Sequence, residues 1–141
     1  MERYREPEVN TQDILQLSSE LLEICRLLAK TGGEAALAGR LSGLSKVETK
    51  TTSTDMVTEF DRATEKYIVD EIRSRRPNDS IIGEEGASVD GNSGITWCID
   101  PIDGTTNYAH GHFHVGISIA YAVDGIVQAA VVAAPFLNEV F

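Results

Sequence analysis

Ile14, Leu17, Leu21, Ile24 and Leu28 recur at spacings of three and four, and Leu15, Leu22, Cys25 and Leu27 widen the stripe. This pattern predicts a helix from about Thr11 to Lys30 that buries one face, ended or bent at Gly32-Gly33. Residues 1–10 are polar and read as a flexible tail. Residues 39–55 are rich in Gly, Ser, Thr and Lys and read as a loop with weak extended character. Thr58, with Asp61 three residues later, comes close to a capping box and opens a second helix. Ala63, Tyr67, Ile68 and Ile72 are its apolar positions, and it stops near Arg76, before Pro77.

After Pro77 the texture changes from helix to strand. Ile81-Ile82 predicts a short strand ending in Gly83-Glu84-Glu85, and Gly86–Gly94 a polar loop. Ile95–Ile99 predicts an apolar strand that Asp100-Pro101 ends, because Pro has no N–H for the ladder. Val115, Ile117, Ile119, Tyr121 and Val123 alternate with small residues, a period of two. Asp124-Gly125 is a hairpin turn signal, Ile126–Ala134 the returning strand, and Asn138–Phe141 the start of another. Ending on a fresh apolar strand leaves a sheet edge open, so the chain reads as the front part of a longer protein.

Composition narrows the class. The 141 residues suit one compact domain, and 42% apolar with 24% charged residues is ordinary globular usage. No apolar run reaches the ~20 residues of a membrane-spanning helix, and Met1–Asn10 is not a signal-peptide core. The expectation is therefore a cytoplasmic protein without a membrane partner. Cys25 and Cys98 lie in apolar patterns and read as buried free thiols.

A net charge of −10 argues against a nucleic-acid surface. All 12 Lys and Arg residues lie between Arg3 and Arg76, whereas Pro77–Phe141 carries eight acids and no base. Carboxylates without cationic partners are either solvated or hold a hard cation.

The densest chemistry lies in Trp97-Cys98-Ile99-Asp100-Pro101-Ile102-Asp103-Gly104-Thr105-Thr106-Asn107. A buried strand delivers Asp100 to its C-terminal end, and a tight turn brings Asp103 beside it. Two such carboxylates repel unless a cation sits between them. The Ile102 carbonyl adds an oxygen donor, and an all-oxygen set suits Mg²⁺. Gly104-Thr105-Thr106 then offers backbone N–H groups at the opening of a helix, an anion site. A metal cluster beside a phosphate cradle is the layout for metal-assisted hydrolysis of phosphate esters.

This string resembles the metal-binding signature of the inositol monophosphatase family, Mg²⁺-dependent and lithium-sensitive phosphatases. Gly83-Glu84-Glu85 resembles the family's upstream glutamate motif, and Asp55-Met56-Val57-Thr58-Glu59-Phe60-Asp61 its Asp-x-Val-Thr-x-x-Asp segment. The likeness runs from about Lys50 to Phe141. It implies an α+β fold, a layered αβαβα sandwich of the inositol monophosphatase/fructose-bisphosphatase type. Residues 11–141 would form its N-terminal metal- and phosphate-binding part, with the first helices and the first part of an antiparallel sheet.

The resemblance also implies roles. Glu84, Asp100 and the Ile102 carbonyl would hold a first Mg²⁺, Asp100 and Asp103 a second, and Glu84 with waters a weaker third. Glu85 matches the second, less direct glutamate of its motif. The N–H groups of Gly104 and Thr105, beside Asp103, would bind the substrate phosphate. Thr105, hydrogen-bonded to Asp61, would orient and deprotonate the attacking water. The substrate would be inositol 1-phosphate or a related sugar or polyol phosphate, and the full-length protein a homodimer.

Blander readings stand beside these. Asp61 suits the first turn of a helix as a capping acid, and Glu84-Glu85 suits a solvated loop edge. His110, His112 and His114 would share one face of a strand as a zinc or nickel site, or else shape the rim of the site. Trp97 reads as packing, and Cys98 as an inert core thiol.

Family members run well beyond this length. Their second half supplies a further metal-binding aspartate in a Trp-Asp motif and most contacts to the alcohol of the substrate, so the chain alone is expected to be inactive or nearly so. The other function class is a partner-binding protein, since some bacterial members act in transcription complexes. There the acidic Pro77–Phe141 face would meet a basic partner.

Overall fold

The computed structural model describes residues 11–41, 47–49 and 56–141. The tail expected over residues 1–10, most of the loop expected over 39–55, and Asp55 of the first motif lie outside the described residues. So does the capping role given to the Thr58 side chain.

Helix α1 runs from Thr11 to Leu41, eleven residues past the expected end. Gly32-Gly33 neither ends nor bends it into two, because the buried stripe passes through them. Leu21, Ile24, Cys25, Leu28, Ala29, Gly32, Gly33, Ala36 and Gly39 keep the three-and-four spacing while the side chains shrink. Small residues let the second half of α1 lie close on the sheet. A Cβ at Gly32 would come within 3.3 Å of Ile117, and one at Gly33 within 3.3 Å of Pro135. Of the expected stripe, Ile14, Leu15 and Leu27 are exposed.

Strands β1 (Val47–Thr49) and β2 (Met56–Thr58) form a two-stranded antiparallel ribbon. Helix α2 follows at once, Glu59–Arg75. Its inward face is Asp61, Thr64, Glu65, Ile68 and Ile72, while Ala63 and Tyr67 face out. Three polar side chains thus occupy the first half of a face that the apolar pattern alone would turn away from the core.

Strands β3 (Ser80–Gly83), β4 (Ser88–Val89), β5 (Ile95–Asp103), β6 (Gly116–Val123), β7 (Ile126–Ala134) and β8 (Glu139–Val140) form a six-stranded sheet in the order β4-β3-β5-β6-β7-β8. All neighbours are antiparallel except β3 and β5, which run parallel with Gly83 opposite Ile99. Asp124 and Gly125, both at positive φ (48° and 81°), make the β6–β7 turn that the sequence predicts. Pro101 does not end β5: pairing with β6 resumes at Asp103 opposite Gly116, after a register shift past Asp100.

Helices α1 and α2 pack against one face of this sheet. Between them lie Leu21, Leu28, Ile68, Ile72, Ile81, Trp97, Ile117 and Ile119, each at most 1% exposed. The period of two in β5 sends Ile95, Trp97 and Ile99 into that core and Thr96, Cys98 and Asp100 to the opposite face. Cys98 is therefore exposed, contrary to expectation, and Cys25 is buried. Trp97 is packing, as expected, with its indole N–H donating to Asp79 at 2.9 Å. Asp79 also takes the Arg76 guanidinium at 2.9 Å and the Ser93 hydroxyl at 2.7 Å. One acid of the base-free stretch is thus neutralised after all, by the cation three residues before it.

Candidate active site

The parallel pairing of β3 and β5 decides what meets at the sheet's end. Parallel neighbours place their C-terminal ends together, so the residues after Gly83 and Ile99 come side by side. The Glu84 N–H donates to the Ile99 carbonyl at 3.0 Å, which ties the glutamate loop to the residue before Asp100. Glu84 and Asp103 are exposed, Asp100 is half-buried, and Asp61 is fully buried.

Asp100 is the electrostatic centre of this group. Burial first, then contact with the Glu84 carboxylate and the negative charges of Glu84, Asp103 and Asp61, push its carboxyl up to about 8. Its Oδ1 is buried and has no hydrogen-bond partner. A buried carboxylate oxygen left unpaired among three other acids is unfavourable until a cation reaches it. Among the described residues no three His, Cys, Asp or Glu side chains are already gathered into a metal cage. The donor chemistry nevertheless fits a hard cation: carboxylate oxygens, an orphaned acceptor and excess negative charge. The alternative imidazole site is not formed. His110 ends a short helix and His112 and His114 lie in irregular backbone, so no strand aligns the three rings.

The β5 bulge carries Pro101 and Ile102 inward and leads into Gly104, whose φ of 86° is left-handed. A Cβ there would stand 2.8 Å from the His114 carbonyl, so both conformation and space call for Gly. Helix α3, Thr105–Ala109, starts immediately after. The first N–H groups of a helix have no acceptor within it, so this turn presents donors near the acids. The Thr105 hydroxyl donates to Asp61 Oδ1 at 2.8 Å and stands 3.1 Å from the Ile102 carbonyl. That carbonyl has a second lone pair to offer. The bond between Thr105 and Asp61 joins α2 to the Gly104 turn across 44 positions of sequence.

Sequence reasoning missed three supporting residues. Glu65, 5% exposed, accepts the N–H groups of Glu85 at 2.8 Å and Ala87 at 2.9 Å. Arg40 donates to the carbonyls of Asn107, Tyr108 and His112 at 3.2, 2.9 and 2.7 Å. Tyr108 donates its hydroxyl to the Ala36 carbonyl at 2.7 Å. Each signal is a polar residue on the buried face of a helix, which a purely apolar stripe passes over.

Fold and site together define an α+β protein with carboxylates gathered beside a Gly-Thr helix start. Residues 17–141 match the model of the inositol monophosphatase family, and the chain belongs to that family. It is 48% identical over 96 residues to a fructose-1,6-bisphosphatase/inositol-1-monophosphatase of Thermotoga maritima, covering 68% of this chain and 37% of that protein. It is 39% identical over 126 residues to Nus factor SuhB of Pseudomonas aeruginosa, covering 86% and 46%. Among solved structures it resembles the Thermotoga maritima IMPase with a TM-score of 0.77 at 40% identity, covering 86% of this chain and 46% of that one. The chain spans less than half the length of each of these relatives.

Proposed function

We propose that this chain is the metal- and phosphate-binding part of a Mg²⁺-dependent phosphomonoesterase acting on inositol 1-phosphate or a related sugar or polyol phosphate. The observation that carries the reading is the unpaired, buried Asp100 Oδ1 among the charges of Glu84, Asp103 and Asp61. Glu84, Asp100, Asp103 and the Ile102 carbonyl are the residues that would hold two or three Mg²⁺ ions. When bound, such ions neutralise phosphate charge and acidify a coordinated water.

The rest is the work of the chain itself. The N–H groups of Gly104 and Thr105 receive the phosphate oxygens, with Asp103 at the edge of the cradle. Asp61 accepts the hydrogen bond of the Thr105 hydroxyl, which turns the Thr105 lone pairs outward; as the water's proton passes to the Thr105 oxygen, the hydroxyl proton passes to Asp61. Holding that water in line with phosphorus lowers the barrier through orientation alone. The remaining parts of the reading are a cytoplasmic location, lithium sensitivity and a homodimer in the full-length protein. No membrane or nucleic-acid partner is proposed. Because the chain matches only 37% and 46% of these relatives' lengths, the 141-residue chain alone would be nearly inactive.

A second reading draws on the Nus factor name of the Pseudomonas aeruginosa relative: partner binding through an acidic face, without catalysis. The Asp61–Thr105 bond favours the enzyme, since a pure binding surface has no need of a buried acid behind a site hydroxyl.

The test is phosphate release from inositol 1-phosphate and a panel of sugar phosphates, with and without Mg²⁺, beside Asp100→Asn. It is run on the chain and on a full-length form matching its relatives. The expected result is Mg²⁺-dependent release from the longer form, lost in the variant. Equal release by Asp100→Asn would overturn the metal site, and brisk release by the 141-residue chain would overturn the need for more sequence.

A further inference from the structure

We infer that Glu65 is a positioning residue that sets the glutamate loop of the site, so that helix α2 governs metal affinity without touching the metal. The inference rests on the metal-binding reading above and extends it to a residue outside the donor set.

Glu65 is buried, and its partners are backbone amides. One oxygen accepts the Glu85 N–H at 2.8 Å and the other the Ala87 N–H at 2.9 Å. The same carboxyl presses on Gly83, where a Cβ would stand 2.5 Å from its carbon. The Gly83 N–H bonds the Ala87 carbonyl at 2.8 Å, so the loop closes around the carboxylate. Glu84 is thereby held on both sides. Its own N–H is fixed to Ile99 on β5, and the next N–H is fixed to Glu65 on α2.

Glu65 lies four residues after Asp61, one turn along the same buried face. One helix therefore grips both halves of the site, Thr105 through Asp61 and the Glu84 loop through Glu65. Only an ionised or otherwise acceptor-only group serves both amides at once. A glutamine keeps the size but turns a donor toward one of the two N–H groups. Partners that orient a metal ligand change affinity by about 10–100-fold when lost.

The test is Mn²⁺ binding to the protein, read by electron paramagnetic resonance, with phosphate release alongside in the full-length form. Glu65→Gln is compared with Ile72→Val, a core truncation on the same helix, and with Asp100→Asn. Glu65→Gln should weaken Mn²⁺ binding about tenfold or more while the rate at saturating Mn²⁺ stays near wild type. Ile72→Val should leave the affinity unchanged even where its melting temperature falls as far. Loss of affinity in Ile72→Val as well, or none in Glu65→Gln, would overturn the inference. Unchanged affinity in Asp100→Asn would instead overturn the metal site itself. If Glu65→Gln does not fold, Gly83→Ala takes its place, since the added Cβ displaces the same carboxylate. Weakened Mn²⁺ binding in that variant supports the inference and wild-type affinity overturns it.

Discussion

Arg40 and Tyr108 hold each other and, between them, the end of one helix to another. The Arg40 guanidinium donates to the Tyr108 carbonyl at 2.9 Å and lies 4.9 Å from the centre of its ring, while Tyr108 donates its hydroxyl back to Ala36 on α1. The same guanidinium stacks 3.9 Å from the Phe136 ring. Arg40 thus meets the carbonyl end of α3, the end opposite the Gly104 turn, where a cation offsets the exposed carbonyls. Arg40→Met should lower stability by about 2 kcal/mol, seen as a reduced urea midpoint. Arg40→Lys should not restore it, because an ammonium cannot fork across three carbonyls and stack on two rings.

Gly39 faces a different constraint. A Cβ at this position would stand 2.6 Å from the Phe60 ring and 2.7 Å from the Tyr108 hydroxyl. Ala is the better helix former by about 1 kcal/mol, yet overpacking costs about 1–3 kcal/mol. Gly39→Ala should therefore be destabilising in thermal unfolding, whereas an exposed position of α1 changed to Ala should not.

Thr105 and Asp61 act as one unit in the proposed chemistry. Thr105→Val and Asp61→Asn should each lower phosphate release by the full-length form about 100-fold or more, and the double variant little further. Thr105→Ser keeps the hydroxyl and should retain most of the rate. Fully additive losses in the double variant would show that the two do not work through their shared hydrogen bond.

Metal-free protein should become less stable as pH rises. The folded chain keeps a proton on Asp100 that the unfolded chain releases at ordinary carboxylate pH, because burial and the neighbouring acids push this carboxyl up to about 8. Its contribution is full below the ordinary carboxylate range, declines as pH climbs and is gone above about 8. Melting temperatures in chelator should fall across that window, and Asp100→Asn should flatten the fall. A slope unchanged by the variant would assign the effect to other groups.

The two thiols should separate cleanly. Burial pushes the Cys25 thiol up to about 12, while Cys98 is exposed on the far face of β5. A thiol reagent at pH 8 should label Cys98 alone in the native chain and both residues in denaturant.

Local patterns carried much of this structure. The Asp124-Gly125 turn, the alternation of Val115–Val123 and the strand before Asp100 are each specified by neighbours a few residues apart. Long-range choices were not legible. Nothing near Gly32-Gly33 says that a sheet lies close enough to make small residues an asset rather than a break. The inward turn of Glu65 is equally invisible, because an acid on a helix ordinarily marks the solvent side; that of Asp61, bonded to Thr105, came from the family resemblance and not from the helix pattern. Cys98 was misplaced by phase: Trp97 and Ile99 took the inward positions of an alternating strand. The motif residues were legible because they lie within one short string. The residues that brace them, Arg40 and Glu65, sit on other elements and touch them only through backbone atoms.

The parallel pairing of β3 with β5 has a consequence for how the site comes into being. The β5–β6–β7 meander is made of neighbours in sequence and needs only turns to form. Glu84 joins Asp100 only when β3 docks alongside β5 in the right direction; docked the other way, it would end at the far rim of the sheet. A half-assembled sheet therefore carries Asp100 without its neighbour, and an ion that needs both would pass it by. At the proposed metal site, ion uptake would in that sense be an inspection of topology, granted only to molecules in which the crossing strand has found its place.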